Sequence, residues 1–196
     1  MEPVYGTVIK LARTVWRAQG LKFTVTGAEN LPVSGGAVVA INHTSYIDWL
    51  PSALATHYRG RRIRFMIKAE MQQVKIVNFL IRKTKTIPVD RRRGADAYAV
   101  AVQRLREGEL VGVYPEATIS RSFELRAFKT GAARMAIEAQ VPIIPMIVWG
   151  AHRIWPKDHP KKLFRGKVPI TAAIGPPLYP SGSAEEFNDV LRQAMN

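Results

Sequence analysis

The feature that most narrows the fold is a rhythm: short β-branched apolar runs alternate along the chain with longer stretches of helical character. Leu21, Phe23 and Val25 alternate with Lys22, Thr24 and Thr26, the period of a half-buried strand. Ala37–Ile41 is an unbroken apolar run, and the pattern then predicts a helix from Tyr46 to about Tyr58, a strand Ile63–Lys68, a helix Met71–Arg82 and a strand Lys85–Val89. A helix Gly94–Glu107, a strand Leu110–Tyr114, a helix from about Phe128 to Ala139 and a strand Ile143–Trp149 follow. After a Pro- and Lys-rich excursion, Ala151–Lys167, come a strand near Val168–Ile174 and a closing helix around Ala184–Met195. Such alternation implies an α/β fold, a single domain with a largely parallel central sheet flanked by helices. Residues 21–196 form that domain, and residues 1–20 an amphipathic N-terminal helix ahead of it.

The run Ala37–Ile41 breaks into Asn42 and His43, and Asp48 stands five positions beyond the histidine. His43 falls in the strand-to-helix turn, where Ser45 and Asp48 have the spacing of a capping box. A regular helix separates positions 43 and 48 by about 140°, so the two side chains meet only if the chain turns between them. If they meet, the carboxylate fixes the imidazole tautomer and the other ring nitrogen takes a proton from a hydroxyl. Taken alone, the pair reads equally well as a loop histidine and a helix cap.

In open α/β sheets ligands collect at the carboxyl ends of the strands. Asn42-His43, Asp90-Arg91 and Pro115-Glu116 all sit there. Asp90-Arg91-Arg92-Arg93 followed by Gly94 suits a phosphate monoester, although an Arg run is more often a solvated turn. Glu116 and the following Thr118, Ser120, Arg121 and Ser122 form a loop rich in hydrogen-bonding groups, and Phe128-Lys129-Thr130-Gly131-Ala132-Ala133 opens a small-residue helix.

Composition removes other chemistries. The chain has 196 residues, 29 Lys and Arg against 15 Asp and Glu, a net charge of +14, and no cysteine. The charge suits anionic membrane, nucleic acid or polyphosphate ligands without choosing among them. A thiol nucleophile and disulfides are excluded. There is no G-x-S-x-G elbow, P-loop, dinucleotide G-x-G-x-x-G or H-E-x-x-H pair. No apolar stretch approaches the roughly 18 to 20 residues that span a bilayer. The N-terminal segment has Val4, Tyr5, Val8, Ile9, Leu11, Ala12, Val15 and Trp16 on helical spacing opposite Lys10, Arg13 and Arg17. It suits a membrane interface or a first helix packed on the domain.

Four ordered blocks together resemble the glycerolipid acyltransferase family, the lysophosphatidic acid (1-acyl-glycerol-3-phosphate) acyltransferases, from about Phe23 to Ile174. They are Asn42-His43 with Asp48; Ile87-Pro88-Val89-Asp90-Arg91; Pro115-Glu116-Ala117-Thr118-Ile119-Ser120 with Phe128-Lys129-Thr130-Gly131-Ala132; and Val141-Pro142-Ile143-Ile144-Pro145. The resemblance implies that His43 is the general base, Asp48 its orienting partner, and an acyl thioester the donor, usually acyl-CoA as co-substrate or else acyl carrier protein. It places Asn42, Asp90, Arg91, Glu116, Thr118, Arg121 and Lys129 around the substrates, with Arg91 and the Glu116 loop on the glycerol phosphate. It implies no metal or cofactor, a lysophospholipid acceptor, and a peripheral or monotopic place on the cytoplasmic side of an anionic membrane, in phospholipid biosynthesis. Ala117 stands where the family has Gly and Ile119 where it has Arg, so Arg121 is the expected substitute reader of the phosphate. Glycerol-3-phosphate or a larger lysophospholipid is the alternative acceptor. The other classes are a membrane-binding protein without activity and a basic nucleic-acid-binding domain, which lacks a recognised reading motif.

Overall fold

The computed structural model describes residues 3–90, 92, 94–162 and 166–196. Among the described residues there are seven strands and six helices. The strands, β1 (Lys22–Thr26), β2 (Ala37–Ile41), β3 (Ile63–Lys68), β4 (Ile87–Val89), β5 (Leu110–Val113), β6 (Ile143–Trp149) and β7 (Pro169–Ile174), form one sheet in the order β1-β7-β6-β2-β5-β3-β4. All neighbours are parallel except β6 and β7. Six helices cover it: α1 (Pro3–Ala18), α2 (Trp49–His57), α3 (Lys75–Lys83), α4 (Gly94–Arg106), α5 (Gly131–Ala139) and α6 (Ala184–Met195).

The position of β2 explains its composition. It is the middle strand, and side chains alternate faces: Ala37, Val39 and Ile41 enter one apolar cluster with α1 and α2, while Val38 and Ala40 enter the other with α4, α5 and α6. With helices on both faces, no position on the strand meets water, and all five residues are fully buried. That is why the run is continuous rather than alternating.

The N-terminal helix is part of this core rather than a separate appendage. Tyr5, Ile9 and Trp16 are buried in the same cluster as Ile41, and Ile63 N–H donates to the Tyr5 hydroxyl at 3.3 Å. The packed-helix reading of residues 1–20 therefore describes the apolar stripe, leaving Leu11 and Val15 exposed.

Four elements begin later than the sequence expectation by more than one residue or are divided, each for a local reason. The first is the helix after His43, which begins at Trp49 rather than Tyr46, because residues 43–48 turn back on themselves. The Met71–Arg82 stretch is broken: Ala69–Gln73 is a 3-10 turn, and extended Val74 separates it from α3. Lys85 adopts φ +53, so β4 starts only at Ile87. Finally, α5 starts at Gly131 rather than Phe128, since Lys129 N–H donates instead to Pro115 O at the end of β5.

Candidate active site

Beyond Ile41, the last β2 residue in register with β6 (opposite Met146), a side chain takes over the pairing. Asn42 Nδ2 donates to Val148 O at 3.1 Å and Asn42 Oδ1 accepts from Val148 N–H at 2.6 Å. The buried amide acts as an extra peptide unit that clamps the end of β2 to β6. The sequence places Asn42 among the substrate-binding candidates; in the structure its side-chain amide pairs with the sheet, and the residue it positions is the next one.

His43 leaves the sheet into a tight turn organised on one oxygen. Asp48 Oδ2 accepts from Thr44 N–H at 2.8 Å, from Ser45 N–H at 2.7 Å, and lies 3.1 Å from His43 Nδ1. The turn that brings positions 43 and 48 together is therefore present. Only half of the capping box forms: Asp48 reaches back to Ser45 N–H, whereas Ser45 Oγ donates toward Ala151 O and Trp155 O, at 3.1 and 2.8 Å. Tyr46 N–H donates to the same Trp155 carbonyl. The His43–Asp48 turn and the excursion after β6 are thus bonded together at Ser45 and Tyr46.

Asp48 is completely buried while the His43 side chain is 20% exposed. Burial pushes the Asp48 carboxyl above its ordinary value, opposed by the hydrogen bond and charge of His43 and by the two backbone N–H groups. With Nδ1–H assigned as the donor to Asp48, Nε2 keeps its lone pair. Among the described residues Nε2 has no hydrogen-bond partner. Tyr114 stacks on the imidazole, with ring centroids 4.1 Å apart at 22°. Burial, then the Asp48 charge, holds its phenol well above the usual value, so the wall beside the base stays neutral. Tyr114 was not anticipated as a site residue; the available signal was an aromatic directly before Pro115-Glu116.

Glu116 is held by backbone at both carboxylate oxygens. It is 4% exposed; Oε1 accepts from His43 N–H at 2.8 Å and Oε2 from Arg126 N–H at 3.1 Å. Ser120 N–H donates to His43 O at 2.7 Å. Both backbone groups of His43 are therefore tied to the Glu116 loop, and the Glu116 carboxylate accepts from backbone on either side. Burial is the leading influence on it and raises its pKa.

The altered part of that loop also becomes intelligible. Ala117 has φ +55, a left-handed conformation that glycine adopts freely and an L side chain at a cost of roughly 1–2 kcal/mol. Ile119 is 6% exposed and points into the protein. Arg121, the expected substitute, is instead paired with Asp158, at 2.7 Å from Nε and 2.6 Å from Nη2. Its guanidinium is bound to the excursion through this exposed ion pair. Thr118 is half-buried and accepts from Lys157 Nζ at 3.4 Å. The Lys129 side chain is exposed. Asp90 is exposed and accepts from Arg92 N–H at 2.8 Å, shaping the turn after β4. β4 is three positions from β2, about 14 Å at ordinary strand spacing. Asp90 thus shares the rim with His43 but not its immediate surroundings, and Arg91 lies outside the described residues.

A family model described as Acyltransferase matches residues 22–149, which include His43, Asp48, Glu116 and the strands that carry them. The chain belongs to the acyltransferase family. This acyltransferase is 30% identical over 178 residues to the 1-acyl-sn-glycerol-3-phosphate acyltransferase of Bacillus subtilis, covering 88% of this chain and 83% of that one. It is 29% identical over 148 residues to the protein of the same name from Borreliella burgdorferi, covering 74% and 58% respectively. Among solved structures, the 1-acyl-sn-glycerophosphate (LPA) acyltransferase PlsC of Thermotoga maritima superimposes with a TM-score of 0.78 at 23% identity, over 98% of this chain and 77% of that one. The enzyme is an O-acyltransferase by its relatives, with the α/β fold of that structure.

Proposed function

We propose that the enzyme moves a fatty acyl chain from acyl-CoA to the free hydroxyl of 1-acyl-glycerol-3-phosphate. The observation that carries this reading is a buried carboxylate holding Nδ1 of a partly exposed imidazole whose Nε2 has no protein partner among the described residues. An imidazole that activates a protein nucleophile is hydrogen-bonded to it; here the hydroxyl to be activated is supplied by the acceptor. Nε2 takes the hydroxyl proton, the oxygen attacks the thioester carbonyl, and the tetrahedral intermediate expels the thiolate, which takes the proton back from Nε2. Asp48 contributes most at the transition state, because a buried anion is best compensated when its neighbour becomes imidazolium. The names of the relatives supply the acceptor class.

A second acceptor class is favoured by a specific observation. Ile119 is buried and Arg121 is paired with Asp158, so the loop offers a phosphate monoester fewer free guanidiniums than the family pattern does. A lysophospholipid with a larger head group fits that deficit. Purified enzyme with acyl-CoA and a thiol reagent decides between them. Thiol release is expected to be fastest with lysophosphatidic acid, slower with glycerol-3-phosphate and with larger head groups. No release with any of these acceptors removes the acyl-transfer reading.

We also propose that the enzyme meets its lipid substrate on a membrane surface. Among the described residues no helix is long and apolar enough to cross a bilayer, but the 3-10 turn and α3 expose Met71, Val74, Ile76 and Phe79, with Ile76 75% exposed. Lys75, Arg82 and Lys83 flank them, the composition of an interfacial helix. Ile76→Asp combined with Phe79→Asp is expected to weaken binding to anionic vesicles about tenfold in a sedimentation assay. Wild-type binding should fall as salt rises toward about 1 M, where screening acts within about 3 Å. Binding that is indifferent to both changes rules out this surface.

A further inference from the structure

The excursion after β6 carries a built feature that the acyl-transfer chemistry leaves unused. Gly150 turns the chain out of the strand at φ +95, and a Cβ there would meet Pro169 O. Beyond it, His152, Arg153, Pro156, His159, Pro160 and Lys162 enclose a pocket of about 170 Å³. Among the described residues no carboxylate lines it: Asp158, the nearest in sequence, faces Arg121 instead. His152 is 8% exposed, and its Nδ1 is buried without a hydrogen-bond partner. Its ring is held between Trp149 and Phe123, at 4.6 and 4.5 Å, so the imidazole is fixed in place with a polar atom unspent.

Two prolines, two imidazoles, a guanidinium and an ammonium, with no balancing carboxylate, make a stiff cationic concavity. Its root is bonded to the His43–Asp48 turn, since Ser45 Oγ contacts Ala151 O and Ser45 is two residues from His43. We propose that this pocket binds a phosphate group of a substrate, with Arg153 and Lys162 supplying charge and the held His152 ring forming one wall. Burial, then the charge of Arg153, lowers the pKa of His152, and a bound phosphate opposes the second of these. The identity of the phosphate carrier rests on the acyl-transfer reading. It is either the monoester of the acceptor or a phosphate of the CoA donor.

Two measurements test the proposal on the full-length enzyme. Histidine ring NMR with added inorganic phosphate is expected to show saturable shifts of the His152 and His159 signals, lost in the Arg153→Ala, Lys162→Ala double variant. Signals that stay unmoved overturn the site. KM values for lysophosphatidic acid, acyl-CoA and S-acyl-pantetheine, which lacks every phosphate, then identify the carrier. A rise of about tenfold or more in the double variant, about 1.4 kcal/mol, for lysophosphatidic acid alone assigns the pocket to the acceptor. The same rise for acyl-CoA but not S-acyl-pantetheine assigns it to the donor, and no rise for either overturns its role as a substrate subsite. If phosphate shifts His152 in the wild type and not in the double variant while no acyl thioester is turned over, the pocket stands and the acyl-transfer reading falls.

Discussion

His43→Ala is expected to leave a folded protein whose turnover of acyl-CoA falls by about 10²-fold or more, the range for loss of a positioned general base. Folding should survive because the contacts that fix residue 43 in the turn are largely backbone: His43 N–H to Glu116, and His43 O from Ser120 N–H. The imidazole itself contributes one contact to Asp48 and one ring stack on Tyr114. Matching circular dichroism spectra and thiol-release rates for the two proteins measure this, and a folded variant within a few-fold of the wild-type rate would show that another group takes the proton.

Asp48→Asn is expected to reduce turnover by a comparable factor, because the uncharged amide does not stabilise imidazolium. It should also leave a signature in stability. Burial raises the folded-state pKa of Asp48 above its unfolded value of about 3.9. The native state therefore holds that proton more tightly, and wild-type stability is greatest below the unfolded pKa and declines as pH rises through the folded one. The variant lacks this decline. Urea unfolding at a series of pH values from about 4 upward should show the wild type losing its stability relative to the variant as pH rises. A difference that stays constant with pH contradicts the buried, desolvated carboxylate, whatever the activity does.

Much of the frame was legible because local signals and global packing agree. The fully apolar β2 run implied a strand covered on both faces, and the His43–Asp48 spacing posed a geometric condition that the turn satisfies. What escaped depends on partners remote in sequence. Asn42 finds Val148 across 106 positions, Glu116 finds the backbone of His43 across 73, and Arg121 finds Asp158 across 37. No spacing rule discloses such pairs, so the partners these three side chains take in the structure were not legible in the sequence. Elsewhere backbone conformation decided: left-handed Lys85 delays β4, and Ala117 occupies a turn whose shape explains why the family has glycine there.

The anchorage of the excursion at Ser45 bears on how such an enzyme can evolve. Its root, residues 151–155, is bonded to the His43–Asp48 turn, whereas Pro156 to Lys162 extend beyond that anchor, tied back through Lys157, Asp158 and the Lys162 backbone. Substitutions in this tip alter charge and shape at the rim without disturbing the hydrogen bonds that hold His43 to Asp48. The chain can therefore drift from one phosphorylated partner to another by single replacements, each intermediate still able to draw the proton from a hydroxyl.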